Sequence, residues 1–222
     1  MKNLLLILAM SQFSIFSFQL SFAQKETVDE KAKGILDELS KKTKGYTSIK
    51  ADFSFTLENP QEKTSETKKG TLIVKGAKYK LSISGQEISC DGKTLWTYIK
   101  DANEVQIDNA PDPNKEENAI NPSNIFTVYE KGFKYKFDKE EVQNGKTIQI
   151  INLYPVKANE KPYHTVKLFI DKNAKEISSV IILNKDGNKS TYNLTKFETN
   201  LPIKDADFVF DTSKAKDVID LR

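Results

Sequence analysis

The chain has 222 residues with a formal net charge of +3, 38% hydrophobic and 29% charged residues, one histidine and one cysteine. At this length one domain is expected, since all-β barrels often reach this size as a single unit, and the composition is that of a soluble globular protein, not an integral membrane one. The charge is small, the lysines are dispersed and the only arginine is Arg222, so the clustered arginines and stacking aromatics of a nucleic-acid binder are missing.

Residues 1–23 read as a secretory leader. Lys2 supplies the positive start, Leu4 to Met10 is apolar, and Phe13 to Phe22 stays mostly apolar without charge. Ser21-Phe22-Ala23 puts small residues where a signal peptidase reads, so cleavage is expected after Ala23, leaving 24–222 as a single exported domain. The alternative, an uncleaved anchor, fits less well, because a spanning helix wants ~20 mostly apolar residues and this run is interrupted by Ser and Gln. Cys90 is far from the cleavage point, which argues against lipidation there, and a lone cysteine forms no internal disulfide.

Thr27 and Glu30 have the spacing of a capping box opening an amphipathic helix. Val28, Ala32, Ile35, Leu36 and Leu39 share one stripe of it, and Gly45 is the expected C-terminal cap. A strand follows in which Ile49, Ala51, Phe53, Phe55 and Leu57 alternate with polar residues. Glu58 to Lys69 reads as a polar hairpin loop. Thr71 to Lys75 and Tyr79 to Ser84 are strands joined at Gly76-Ala77, with Tyr79, Leu81 and Ile83 on one face. Gln86 to Tyr98 predicts a tight hairpin with a type I′ turn at Asp91-Gly92, and Trp96 and Tyr98 share a face of its second arm. A strand around Glu104 to Asp108 precedes a Pro- and Asn-rich loop from Asn109 to Pro122.

Ser123 to Lys131, with Ile125, Phe126 and Tyr129 at helical spacing, predicts a short second helix capped by Ser123 or Asn121. Strands resume at Phe133 to Phe137, Thr147 to Tyr154, His164 to Ile170, Ile177 to Leu183 and Ser190 to Phe197, and Phe208 with Phe210 suggests a last short strand before a polar tail. The sum is about ten strands and two helices. It predicts one large, strongly curved antiparallel sheet with helices on its concave side.

No catalytic constellation is legible. His164 is alone on a strand, no His or Cys pair has metal-ligand spacing, and phosphate loops and dinucleotide glycine patterns are absent. The carboxylates sit in loops or lysine-rich strands, although a pair assembled only in space would leave no sequence signature. The chain is therefore expected to be a non-enzyme with no cofactor and no bound metal. Two helices look too few to cover ten strands, which leaves two alternatives: a sheet closed into a filled barrel, or a greasy cavity suited to a lipid or other apolar ligand.

Several segments are similar to the periplasmic outer-membrane lipoprotein carrier family (LolA), over nearly the full length. They are the N-terminal helix followed by Tyr46 to Phe53 (Tyr-Thr-Ser-Ile-Lys-Ala-Asp-Phe), Gly70 to Lys75 (Gly-Thr-Leu-Ile-Val-Lys), Cys90 to Tyr98 (Cys-Asp-Gly-Lys-Thr-Leu-Trp-Thr-Tyr), Asn121 to Phe126 (Asn-Pro-Ser-Asn-Ile-Phe) and Asp207 to Phe210 (Asp-Phe-Val-Phe). The resemblance implies a mainly β fold with α, an incomplete, half-open antiparallel β-barrel with a helical lid. It implies a monomeric periplasmic chaperone that shields the acyl chains of lipoproteins released by an inner-membrane ABC-type complex and moves them to the outer membrane, where a receptor can take them. On this reading Phe53, Phe55, Tyr79, Leu81, Ile83 and Trp96 line an apolar cavity, and Ile35, Leu36, Leu39, Ile125 and Phe126 belong to the lid.

One departure stands out. The family pattern has an arginine just after the third-strand Val-Lys that tethers the lid, whereas this chain has Gly76-Ala77 there, leaving Lys75 or Lys78 as substitutes without the planar guanidinium fork. Two other readings of the same architecture stay open: a lipid- or glycolipid-binding sensor, and a ligand-free structural domain with a filled barrel.

Overall fold

Alternating apolar and polar residues make most of this chain strand, and the computed structural model describes residues 29–111, 122 and 124–222. The leader, Thr27 and the cap candidates Asn121 and Ser123 lie outside the described residues. Twelve strands are found among those described, not ten. They are β1 (Ile49–Asn59), β2 (Thr64–Lys75), β3 (Lys78–Ile83), β4 (Gln86–Cys90), β5 (Thr94–Ile99), β6 (Glu104–Asn109), β7 (Phe133–Gln143), β8 (Lys146–Pro155), β9 (Tyr163–Asp171), β10 (Glu176–Asn184), β11 (Lys189–Thr199) and β12 (Asp217–Asp220). They form one sheet in the order β12-β6-β5-β4-β3-β2-β1-β11-β10-β9-β8-β7. Neighbours are antiparallel except β12, which runs parallel to β6. The end strands β12 and β7 do not pair, so the barrel is open, as a half-open antiparallel barrel requires.

The single α-helix among the described residues, α1 (Glu30–Lys44), buries Ala32, Leu36 and Leu39. Its cap is Asp29, two residues later than the expected Thr27: Asp29 Oδ1 accepts from the Ala32 amide at 2.9 Å. The same carboxylate accepts from the Phe137 amide through Oδ2 at 2.9 Å. One side chain thus begins α1 and pins it to β7, where a bulge at Phe137 to Lys139 bends the strand. These two backbone donors are the leading reasons that the Asp29 carboxyl is held below its ordinary pKa. At the other end Lys42 pairs with Glu176 at 3.0 Å and the Tyr46 hydroxyl donates to Glu176 at 2.7 Å. The helix is therefore clamped to β7 and β10.

Four further expectations are corrected. Glu58 to Lys69 is not a loop: β1 and β2 continue as a paired hairpin past the core, with only residues 60–63 turning. Both faces of that arm are polar, Thr56 and Thr67 hydroxyls meet at 2.9 Å, and no apolar alternation marks it. The central hairpin pairs Cys90 with Leu95 and turns at Gly92-Lys93. Only Gly92 has positive φ there, at +92°, which is not the type I′ pattern, and Asp91 Oδ1 instead accepts from the Lys93 and Thr94 amides. The second predicted helix is a chain of turns ending in a 3-10 turn, Val128–Glu130, whose N-cap residue Thr127 makes no side-chain capping bond. A segment this short does not recover the cost of helix nucleation. Phe208 and Phe210 are not a strand: Phe208 ends a 3-10 turn, Asp205–Phe208, and the expected polar tail contains β12.

The sheet buries residues on both faces. The main cluster lies under α1 and includes Leu72, Cys90 and Leu153. On β5, Leu95 packs against this cluster while its neighbour Trp96 belongs to a second one with Val105, Ile107 and Phe210. Adjacent residues on a strand point to opposite faces, so the second cluster is on the outer face. The C-terminal segment covers it: Phe210 packs on Tyr98 with ring centroids 5.0 Å apart. Phe208 is completely buried, a contribution of about 1.5–3 kcal/mol for such a side chain.

Lys75 and Lys78, the candidates for a lid tether, hold this C-terminal segment instead. Lys75 donates to the Ile203 carbonyl and to Asp205, both at 2.8 Å, and Lys78 reaches the other Asp205 oxygen at 2.6 Å. The Lys75 and Lys78 ammonium groups pull the Asp205 carboxyl from its ordinary 3.8 down to about 2. Because the folded value is the lower one, the tether contributes fully above pH 3.8 and is lost as pH falls toward about 2. Trp96, the only tryptophan, sits beneath the segment and reports on it. In an acid titration of its emission, Asp205→Asn is expected to remove part of the change across that window. Superimposable titrations of the two proteins would show that the tether does not hold the segment.

Candidate functional site

Period-two alternation on the central strands sends one apolar set to the face beneath α1, and there the side chains leave a cavity of about 130 Å³. Its floor is Ala51 and Phe53 of β1 and Leu72 of β2, with Leu81 of β3 beside them. Ile177, Val180, Tyr192 and Leu194 of β10 and β11 complete the wall. These five strands are consecutive in the sheet. Laid flat they would span about 19 Å at ~4.8 Å per strand, so the sheet must curve for all five to line so small a space.

Two backbone features permit that curvature. A bulge between Asp52 and Phe53 leaves Thr195 as the extra residue on β11. Opposite Phe53 on β2 is Gly70, where an added Cβ would come within 2.7 Å of both the Phe53 ring and the Ser82 carbonyl. Phe53 can lie across β2 only because that position has no side chain. Phe55 packs on Tyr192 at 4.9 Å and Phe53 lies 6.3 Å from the same ring, so three aromatics form one continuous wall. Burial pushes the Tyr192 phenol pKa up, which keeps it neutral.

Pro122, Ile125 and Phe126 roof the cavity. Phe126 is buried and meets Phe197 edge-on at 5.6 Å, and Phe197 in turn meets Tyr46 at 6.1 Å. The roof is also tied to the last turns of α1 through Glu130. Ser40 donates to Glu130 Oε1 at 2.5 Å, and the Lys44 ammonium is 2.9 Å from Oε2. One carboxylate thus connects the roof segment to the helix.

Of the residues expected around an apolar cavity, Phe53, Leu81, Ile125 and Phe126 are brought together at its surface. Phe55 stands beside it on Tyr192, while Tyr79 is buried opposite Cys90 and Ile83 is half-buried at the edge of the main cluster. Trp96 is elsewhere, on the outer face, because it is out of phase with Leu95. Ile35, Leu36 and Leu39 pack into the main cluster but do not line the cavity. Sequence reasoning does not single out Ala51, Leu72, Ile177, Val180, Tyr192 and Leu194 as lining residues. Their alternation is readable, but the adjacency of β1 and β11 is not.

Other chemistry-bearing residues do not converge here. Cys90 is buried in the main cluster, and that burial raises its thiol pKa. His164 is exposed, its Nδ1 2.9 Å from the Thr165 hydroxyl. No group of three or more His, Cys, Asp or Glu residues suited to a metal ion occurs among the described residues.

Partly exposed ion pairs are worth at most about 1 kcal/mol each, about fivefold in an equilibrium. Glu130→Ala removes both ties between roof and helix. It is expected to speed uptake of an uncharged apolar dye about fivefold while leaving the unfolding midpoint nearly unchanged. Unchanged uptake kinetics would mean that Glu130 does not restrain the roof.

A family model described as outer membrane lipoprotein carrier protein LolA matches residues 44–211. The outer-membrane lipoprotein carrier protein of Coxiella burnetii (strain CbuK_Q154) is 22% identical over 188 residues, covering 82% of this chain and 85% of its own. The fold is similar to that of an uncharacterized conserved protein from Thermus thermophilus, with a TM-score of 0.55 at 12% identity over 85% of this chain and 98% of that one. A LolA superfamily protein from Nitrosomonas europaea aligns with a TM-score of 0.44 at 12% identity, over 81% of this chain and 98% of its own. The matched span contains every cavity-lining residue, and the chain belongs to the outer membrane lipoprotein carrier protein LolA family.

Proposed function

We propose that this protein is a periplasmic carrier that shields the acyl chains of lipoproteins and moves them from the inner to the outer membrane. The observation that carries the reading is the apolar cavity under a roof that is not regular helix. Burying a methylene is worth ~0.8 kcal/mol, so a multiply acylated protein does not leave a membrane without an apolar host. The curated relative from Coxiella burnetii bears the name of such a carrier. On this reading residues 1–23 are a cleaved leader, 24–222 is the exported domain, an ABC-type releasing complex supplies cargo and an outer-membrane acceptor receives it.

Size decides how the cavity would work. At about 130 Å³ it is smaller than the ~150 Å³ engineered cavity that holds benzene. A full acyl chain does not fit, so loading has to displace Ile125 and Phe126. Lifting these two side chains costs about 3–6 kcal/mol of lost burial. About eight buried methylenes return that much, and longer chains return more. Cargo thus exchanges its apolar contacts for those of the roof, and because a membrane hosts acyl chains as well as the cavity does, the burial the roof regains favours release.

Leu81→Asp puts a charge at the cavity wall and Phe126→Ala removes the roof anchor. Leu81→Asp is expected to weaken binding of a triacylated lipopeptide at least about tenfold, and Phe126→Ala, which removes part of the cost of opening the roof, to tighten it about tenfold, both read by displacement of a fluorescent fatty acid. Val142→Asp, at a 73% exposed position, is expected to bind as the unsubstituted protein does. If folded Leu81→Asp and Phe126→Ala both bind normally, acyl chains do not use this cavity.

A further inference from the structure

A second concavity lies on the outer face, where the β1–β2 arm outruns the shorter β3–β4 hairpin. It is an open groove of about 560 Å³. Asp52, Ser54, Thr71 and Ser82 line it, and they alternate along their strands with Phe53, Leu72 and Leu81, which face the apolar cavity. The turn Ser84-Gly85 closes one end, and the Lys100 amide donates to the Gly85 carbonyl at 2.9 Å to hold that turn. Thr195, the extra residue of the β11 bulge, adds another hydroxyl.

Two lysines at this groove stand without a carboxylate partner among the described residues. Most lysines of the sheet are neutralised by a neighbouring carboxylate, as Lys80 is by Glu87 at 2.8 Å and Lys189 by Glu58 at 2.6 Å. Lys69 and Lys100 both line the groove, and neither makes an ion pair among the described residues. The one carboxylate in the lining, Asp52, accepts from the Thr71 hydroxyl at 2.7 Å and keeps its charge, so the two ammonium groups leave the groove net positive by one. Asp101 stands at the Gly85 turn, outside the lining. The groove thus presents two ammonium groups and the hydroxyls of Ser54, Ser82 and Ser84, while those of Thr71 and Thr195 already donate to the Asp52 carboxylate and to its carbonyl at 3.0 Å. Its only aromatic, Phe53, also walls the apolar cavity, so there is no stacking platform of its own for a neutral sugar.

Unpaired ammonium groups with surrounding hydroxyl donors are the complement of a phosphate, which lysine recognises as a point charge. We propose that this groove binds a phosphate group, carried by an anionic lipid headgroup or by a small soluble phosphate ester. Its cationic groups, Lys69 and Lys100, take no part in the apolar cavity, with which the groove shares only Phe53.

The test is titration of the protein, purified as its cell produces it, with glycerol 3-phosphate, followed by amide chemical shifts. Saturable shifts are expected at Gly70, Ser84, Gly85 and Lys100. The double variant Lys69→Ala/Lys100→Ala, both exposed positions, is expected to bind at least about tenfold more weakly, with unchanged Trp96 emission as the check on folding. Flotation with phosphatidylglycerol vesicles, against phosphatidylcholine vesicles, separates the two sources. Flotation lost in the double variant identifies a lipid headgroup. Binding of glycerol 3-phosphate without flotation identifies a soluble phosphate. Absence of saturable shifts in the groove, or shifts that persist unweakened in the double variant, overturns the proposal. Fatty-acid probe uptake is expected to be the same in both proteins, which keeps this result separate from that of the apolar cavity.

Discussion

The pairing of β1 with β11 joins two halves of the chain that are far apart in sequence, and the cavity exists only because they meet. Ile49 pairs with Thr199 on one side and with Val74 on the other, so β1 is the shared seam of two separate meanders. The register sets Phe53 between Gly70 and Leu194. A slip of one residue would turn Phe53 outward and bring Asp52 or Ser54 into the cavity. The bulge at Thr195 and the missing side chain at Gly70 are the local adjustments that let a large ring occupy the seam. Long-range pairing of this kind carries a large loop-closure entropy, which local hairpins do not face.

Around that seam the two faces have different tasks. The inner face holds the apolar floor and the roof. The outer face is closed partly by the C-terminal segment, which seals Trp96, Val105, Ile107 and Phe210 and then adds β12 in parallel to β6. The lysines of the β2–β3 turn serve that segment through Asp205. The roof is tied by Glu130 on a different element. The roof segment and the C-terminal segment are thus held by separate ion pairs, Glu130 with Lys44 and Asp205 with Lys75 and Lys78.

Much of this is legible in the sequence, for definite physical reasons. Strict alternation in Ile49 to Phe55 and Tyr79 to Ile83 identifies strands and assigns Phe53 and Leu81 to the buried face, where the cavity is found. Helical spacing of Ala32, Leu36 and Leu39 gives α1 its buried stripe. Where both faces of a strand are wet, as from Thr64 to Lys69, alternation vanishes and the segment reads as loop. Helical spacing at Ile125, Phe126 and Tyr129 suggests a helix, but so short a segment follows its tertiary contacts, here Phe126 on Phe197, in place of its periodicity. Trp96 lies in the other layer from the one expected, because a strand's phase says which residues share a face, not which of two buried faces it is. Tyr192 and Leu194 escape a reading of the sequence because nothing local announces that β11 lies beside β1.

The proposed carrier role requires an exchange between roof and cargo. An almost filled cavity of about 130 Å³ is the state expected of an unloaded carrier whose apolar roof stands in for its ligand. Native mass spectrometry of the protein taken gently from its own producing cells addresses this most directly. The account predicts a species carrying one acylated protein or lipopeptide per chain beside the unliganded one. A single unliganded mass, from a protein that also fails to take up a fluorescent acyl probe, would contradict it.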